Sequence, residues 1–170
     1  RDLRGGRGGP ARAGQGGVRE GGFIRDGWDG YDEAIILSVL GLASPTHPLP
    51  ENSYIDWTAT YQWENIYDYE FLYAGPLFIH HYSQAWIYFS SIRDRFMREK
   101  NCDYFENSRR AVHVQREYAR RNPFSFKGYG KNCWGISACD GPGFKTLEVE
   151  DRERRLLGYA ARGAPYGPDD

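Results

Sequence analysis

The chain has 170 residues, with 22 Lys+Arg against 23 Asp+Glu and a net charge of −1. That balance argues against a surface built to grip phosphate backbones, which carries a clear basic excess. No uninterrupted apolar run reaches membrane-spanning length, and the first residues lack the apolar core of a signal peptide. The length suffices for one domain with a real core. Aromatic residues make up 16%, with 5 Trp, 13 Tyr and 9 Phe. Such rings bury large areas, while the polar tips of Tyr and Trp need partners or water, so they suit a core that opens into a wet cleft. Sugar sites use the same chemistry, stacking the C–H face of a pyranose on a ring. An aromatic core without a ligand reads equally well.

Residues 1–22 hold 9 of the 21 glycines, five arginines and no aromatic residue. This segment cannot bury enough surface to offset its ordering entropy, and it reads as disordered, with the folded part starting at Phe23. The aromatics that accompany RNA-binding RGG repeats are missing, so no nucleic-acid partner is expected. From Tyr31, YDEAIILSVLGLA predicts a helix of about a dozen residues whose apolar side chains surround the axis, so it should be buried. Asp29 stands where an N-cap belongs, with Asp32 three places on in a capping-box-like arrangement. Pro45, Pro48 and Pro50 stiffen the next loop, and a second helix is expected over residues 51–62. Gly75-Pro76 breaks the chain again before LFIHHYSQAWIYFSSI, which is apolar on most faces. Residues 102–121 predict an amphipathic helix with Tyr104, Ala111, Val114 and Tyr118 inward and Arg109, Arg110, Arg116 and Arg120 outward. Beyond Asn122-Pro123 the chain is loop-rich, and TLEVEDRERRLLGYAARG allows a hairpin or a short strand and helix. Helices buried nearly all round fit an inner ring wrapped by an outer one.

Several side chains could carry chemistry. Asp29 and Glu33 are four apart, a spacing that allows two carboxylates to share a helix face. Glycosidases that invert configuration set their two carboxyls roughly 6.5–9.5 Å apart to admit a water. Capping is the plainer role for Asp29 and Asp32. Glu33 leads into AIILSVL, and a carboxyl beside such a run is expected to have a raised pKa, as a general acid needs. Glu106 in CDYFENSRR has an ion pair with Arg110 as its simplest reading. Trp134 and Asp140 lie in a Gly/Pro-rich loop that could wall a site, although Asp-Gly is also an ordinary turn. His47, between prolines, could be aimed at a ligand, whereas His80 and His81 read as core histidines. Cys102, Cys133 and Cys139 cannot all pair; a Cys133–Cys139 bridge is open, but free buried thiols are favoured, and no zinc pattern is completed.

The strings GFIRDGWDGYDEAIILSVLGLASPTHPLPE, YEFLYAGPLFIHHYSQAWIYF, DYFENSRRA, NCWGISACDGPG and YGPDD resemble, in order, the bacterial glycoamylase-like domain family. That family is related to endo-β-1,2-glucanases and to the cyclisation region of cyclic β-1,2-glucan synthases. The resemblance covers residues 22–170 and implies an all-α fold. More specifically, it implies a truncated part of an (α/α)6 six-hairpin toroid with a loop-rich C-terminal third. It divides the chain into a disordered 1–22 and a partial glycoamylase-like domain over 23–170. It further implies a glycoside hydrolase or transglycosylase acting on glucan oligo- or polysaccharides, foremost β-1,2-glucan, by carboxylate acid/base catalysis with no metal or organic cofactor. Cleavage of α-glucan, or a carbohydrate-binding remnant without activity, are the alternatives. By motif position, Glu33, Asp29 and Glu106 are the acid/base candidates, and Trp134, Asp140 and His47 the substrate contacts. Family habit points to the cell envelope or export.

Overall fold

The computed structural model describes residues 18–19, 22–23, 29–149 and 151–165. Most of the expected disordered segment, and the YGPDD motif, lie outside them. Within the described residues, β1 (Val18–Arg19) pairs with β2 (Gly22–Phe23) as a two-residue antiparallel ladder.

Helix α1 (Ile35–Leu42) starts later than the sequence suggested, and neither Asp29 nor Asp32 caps it. Instead Asp32 Oδ1 accepts from the N–H of Ala34 at 2.8 Å, which holds the preceding turn. Only Ile35 of the helix is buried, against the expectation of a helix enclosed on all sides. Helix α2 (Ser53–Thr58) is half the predicted length. The chain then turns back in a hairpin of β3 (Trp63–Ile66) and β4 (Tyr69–Leu72), with Trp63 opposite Leu72 and Ile66 opposite Tyr69. Tyr67 and Asp68 both take positive φ, 52° and 66°, the conformation a two-residue hairpin loop needs. Helix α3 (Leu77–Tyr82) continues into a 3-10 turn, Ser83–Ala85, and α4 (Arg95–Glu99) is one turn capped by Asp94.

Helix α5 (Tyr104–Arg121) organises the rest, and here sequence and structure agree. Its first N–H groups are met by Asp103, which accepts from Glu106 N at 2.7 Å, and it ends at Asn122 in the left-handed region. Tyr104, Ala111, Val114 and Tyr118 are all 3% exposed or less. Ala111 and Val114 pack on Ile66 and Phe71 of the hairpin, while Tyr118 packs with Ile136 and Ala164 of the C-terminal part. At 0% exposure, Asn107 bonds both polar groups of Leu72, accepting from its N–H at 2.6 Å and donating to its carbonyl at 3.4 Å. That contact terminates the β4 ladder inside the core without leaving orphaned backbone groups. Tyr31, Ile35, Tyr61, Leu72, Phe89 and Met97 form the main apolar cluster between α1, the hairpin and α4.

After α5, β5 (Ala138–Asp140) pairs with β8 (Tyr159–Ala161), and β6 (Lys145–Val149) pairs with β7 (Arg152–Leu156). An all-α partial (α/α)6 toroid is therefore not what these residues form. The described residues carry four two-stranded antiparallel sheets beside their helices. The physical reason is local: among the described residues α5 alone exceeds eight residues, and the chain between α2 and α3 and beyond α5 satisfies its backbone groups by antiparallel strand pairing.

Candidate functional site

Glu33 occupies the turn just before α1. Its carbonyl accepts from Ser83 Oγ at 3.0 Å, which fastens this turn to the 3-10 turn after α3. The half-buried side chain edges a hollow of about 390 Å³ lined by Ile36, Leu37, Phe78 and Tyr82. Ile36 and Leu37 follow Glu33 at helical spacing, and Phe78 and Tyr82 stand one turn apart on α3. The volume falls within the roughly 300–1,000 Å³ of small-molecule sites. One carboxyl against two rings and two aliphatic side chains can stack a pyranose and meet one of its oxygens.

Burial raises the carboxyl of Asp32, read from sequence as a cap, to about 6. The Glu33 charge adds to the rise and the Ala34 N–H opposes it. Asp32 follows Tyr31, which is 7% exposed, and stands two residues before the buried Ala34–Ile35 step.

Asp29 is exposed at a second hollow, of about 590 Å³, whose lining includes Tyr31, Thr60, Tyr61, Gln62, Tyr73 and Ile79. The Gly30 N–H donates to Thr60 Oγ1 at 2.9 Å and so anchors Asp29 to the end of α2. Asp29 and Glu33 thus bracket the buried Tyr31 and face different hollows.

Glu106 lines neither. Arg109 Nε donates to its Oε2 at 2.7 Å, and Arg109 Nη2 and Arg110 Nε both donate to its Oε1 at 2.9 Å. Arg109 foremost, with Arg110, holds this carboxyl down to about 2. Such pairing favours the ionised form and makes this carboxyl a poorer proton donor than an unpaired one. Arg110 also donates to the Glu70 carbonyl at 2.7 Å, so the group faces β4.

The loop carrying Trp134 is moored to α3 and α5. Leu77 N–H donates to Ile136 O at 3.0 Å, Ile136 N–H donates to Gln115 Oε1 at 2.5 Å, and Phe78 N–H donates to Ser137 Oγ at 3.3 Å. Trp134, 39% exposed, stands just before these anchors but lines neither hollow. Asp140 is exposed on β5 opposite Tyr159. His47 is exposed, with its N–H donating to Ser44 Oγ at 3.2 Å, in a loop that returns to α1 through Leu49 N–H and Gly41 O at 2.9 Å. Cys102 is buried, whereas Cys133 and Cys139 are exposed and all three thiols are free, against the expectation of buried thiols throughout. The described residues contain no group of three or more His, Cys, Asp or Glu placed to hold a metal ion, and no helix among them is long and apolar enough to cross a membrane.

Comparison with known proteins places this geometry. Residues 26–170 match the glycoamylase family model, described as “Putative glucoamylase”. A curated relative, the exo β-1,2-glucooligosaccharide sophorohydrolase (non-reducing end) of Parabacteroides distasonis, is 24% identical over 65% of this chain and 18% of its own length. A solved structure from Bacteroides caccae with the same description as the family is 31% identical, with a TM-score of 0.64 over 84% of this chain and 32% of that one. Its counterpart from Bacteroides fragilis is 32% identical, with a TM-score of 0.61 over 79% and 30%. The chain spans about a third or less of the length of these relatives. With the family model matched over nearly its whole described length, this chain belongs to the glycoamylase family.

Proposed function

We propose that this chain carries part of the active site of a glucan-cleaving glycoside hydrolase, and that Glu33 is its acid/base carboxyl. The observation that carries the reading is Glu33 at the edge of a hollow walled by Phe78 and Tyr82, within the family match. In this scheme a pyranose lies against Phe78 and Tyr82 while Glu33 reaches the glycosidic oxygen. Proton transfer there offsets the negative charge left on the departing oxygen as the sugar becomes oxocarbenium-like. Asp32, held near 6, takes up or releases a proton beside Glu33 in the range where such enzymes work. Its proton content sets how much negative charge Glu33 faces.

Asp29, the other acid/base candidate by motif position, lines a different hollow from Glu33, so the role of activating water or a sugar hydroxyl is not assigned to it. Glu106 acts as an anchor: it is fixed by two guanidiniums and keeps α5 registered on β4. Trp134, Asp140 and His47, exposed and outside both hollows, stand as candidates for further substrate contacts by motif position alone. The name of the Parabacteroides distasonis relative favours β-1,2-linked glucan as substrate.

The test sets these 170 residues into the Bacteroides caccae relative in exchange for the segment they match. Product release is then followed on linear β-1,2-glucan, β-1,3-glucan and α-1,4-glucan. Release from β-1,2-glucan alone is expected. A folded protein that cleaves α-1,4-glucan instead overturns the substrate, and one that binds glucan without cleaving it overturns the enzyme.

A further inference from the structure

Ser83 opens the 3-10 turn that follows α3, and it is 4% exposed. A hydroxyl buried that far needs a partner. Its Oγ donates to the carbonyl of Glu33 at 3.0 Å, fifty residues back in the chain.

That bond joins the two sides of the Glu33 hollow. On one side Glu33 leads into Ile36 and Leu37; on the other Phe78 and Tyr82 stand on α3, and Tyr82 directly precedes Ser83. A single hydrogen bond therefore ties the turn that bears the carboxyl to the helix that bears the rings. Neither end is loose. Gln84 Nε2 donates to Tyr104 O at 2.7 Å and to Ser108 Oγ at 2.5 Å, and Ser108 Oγ donates to His80 O at 2.6 Å. These contacts clamp α3 and its 3-10 turn onto α5. At the other end, the bond from Ala34 N–H to Asp32 Oδ1 stiffens the turn from within. A continuous polar path thus runs from α5 through Gln84 and Ser83 to the backbone of Glu33.

We infer that Ser83 is a positioning residue for Glu33, an inference that rests on Glu33 being the acid/base carboxyl. Its hydroxyl holds the Glu33 turn at the separation from Phe78 and Tyr82 at which a sugar stacked on those rings meets the carboxyl. The hydroxyl is uncharged and touches the Glu33 backbone, so it acts on where the carboxyl stands. Catalytic groups must be held to within about 0.5 Å, and a misplacement of about 1 Å costs on the order of 10²-fold in rate.

The test compares Ser83→Ala, Glu33→Gln and the double variant with the parent, in the protein exchanged into the Bacteroides caccae relative, on β-1,2-glucooligosaccharides. Ser83→Ala should lower kcat by roughly 10–100-fold with KM changed by less than about threefold. The melting temperature should fall by less than about 5 °C, as expected for one lost hydrogen bond. In the Glu33→Gln background the same substitution should change kcat by less than about twofold, because a residue that acts through Glu33 has nothing left to place. Thr58→Ala is the control. It removes a hydroxyl that is also buried, bonded to Ile55 O at 2.9 Å and outside both hollows, and should keep kcat within about threefold. Parent-like turnover by Ser83→Ala, beside a collapsed Glu33→Gln, overturns the positioning role and leaves Glu33 as the acid/base group. Parent-like turnover by Glu33→Gln, or an exchanged parent without turnover, overturns that reading and this inference with it. Losses that multiply in the double variant, an equal loss in Thr58→Ala, or a Ser83→Ala protein that does not fold assign the hydroxyl to general stability and overturn the inference alone.

Discussion

Removing the carboxylate of Asp94 should cost a large part of the stability of the fold. Asp94 Oδ1 accepts from the Met97 N–H at 2.6 Å, capping α4. Its Oδ2 accepts from the Tyr54 hydroxyl at 2.5 Å and the Tyr104 hydroxyl at 2.7 Å. One carboxylate therefore fastens α2, α4 and the first residue of α5. Hydrogen bonds to a charged acceptor contribute about 1.5–3 kcal/mol each, and a buried donor left unpaired costs a similar amount. Tyr54 and Tyr104 also lie 2.6 Å apart, hydroxyl to hydroxyl, so in Asp94→Ala one phenol can still use the other as acceptor. Two donors are then orphaned instead of three, which gives a loss of roughly 3–5 kcal/mol. Domains of this kind are stable by only about 5–15 kcal/mol. Asp94→Asn keeps one acceptor oxygen and should lose about half as much. Guanidinium denaturation followed by far-ultraviolet circular dichroism measures both, provided the denaturant slope is unchanged. A loss below about 1 kcal/mol for Asp94→Ala would refute the claim that these bonds hold the helices together.

Asn107→Leu should destabilise by roughly 2–4 kcal/mol, because it strips the 0%-exposed Leu72 backbone of both partners; a thermal melt matching the parent would contradict this. Two of the perturbed carboxyls predict opposite pH responses. Asp32 sits near 6 in the fold, above the ordinary Asp value, so its contribution is full below about pH 4 and lost as pH rises through 6. Asp32→Asn should therefore gain stability relative to the parent between pH 4 and 7. Glu106 sits near 2, below the ordinary Glu value, so its contribution is present above about pH 4.5 and lost as pH falls through 2. Glu106→Gln should accordingly approach the parent in acid. Urea titrations at stepped pH read both, and stability differences that do not change with pH would contradict the assignments.

What the sequence made legible was what is decided locally. The inward stripe of α5 follows from helical spacing alone, and all four residues named for it are buried. The pairing of Glu106 with arginine is likewise a matter of adjacent turns. The hairpin of β3 and β4 escaped because its loop is Tyr67-Asp68 rather than an Asn-Gly or Asp-Gly pair. Tyr67 holds its positive φ with Arg121 of α5 lying 4.2 Å over its ring, a contact across the fold that no local pattern announces. The burial of α1 was misjudged for a related reason: its composition reads as buried, while among the described residues Ile35 alone of the helix is buried. The candidate site divides in the same way. Glu33 beside AIILSVL was legible as a candidate; that burial raises Asp32, and that Phe78 and Tyr82 line the same hollow as Glu33, depends on how α3 packs against the turn.

The most direct test of Glu33 compares Glu33→Gln with Glu106→Gln in the exchanged protein on β-1,2-glucooligosaccharides. Loss of an acid/base group should lower kcat by roughly 10²–10⁴-fold with KM little changed. Glu106→Gln, which removes an anchor and not a proton donor, should retain kcat within about tenfold. Parent-like turnover by Glu33→Gln, with collapse confined to Glu106→Gln, would place the proton transfer elsewhere and contradict the account.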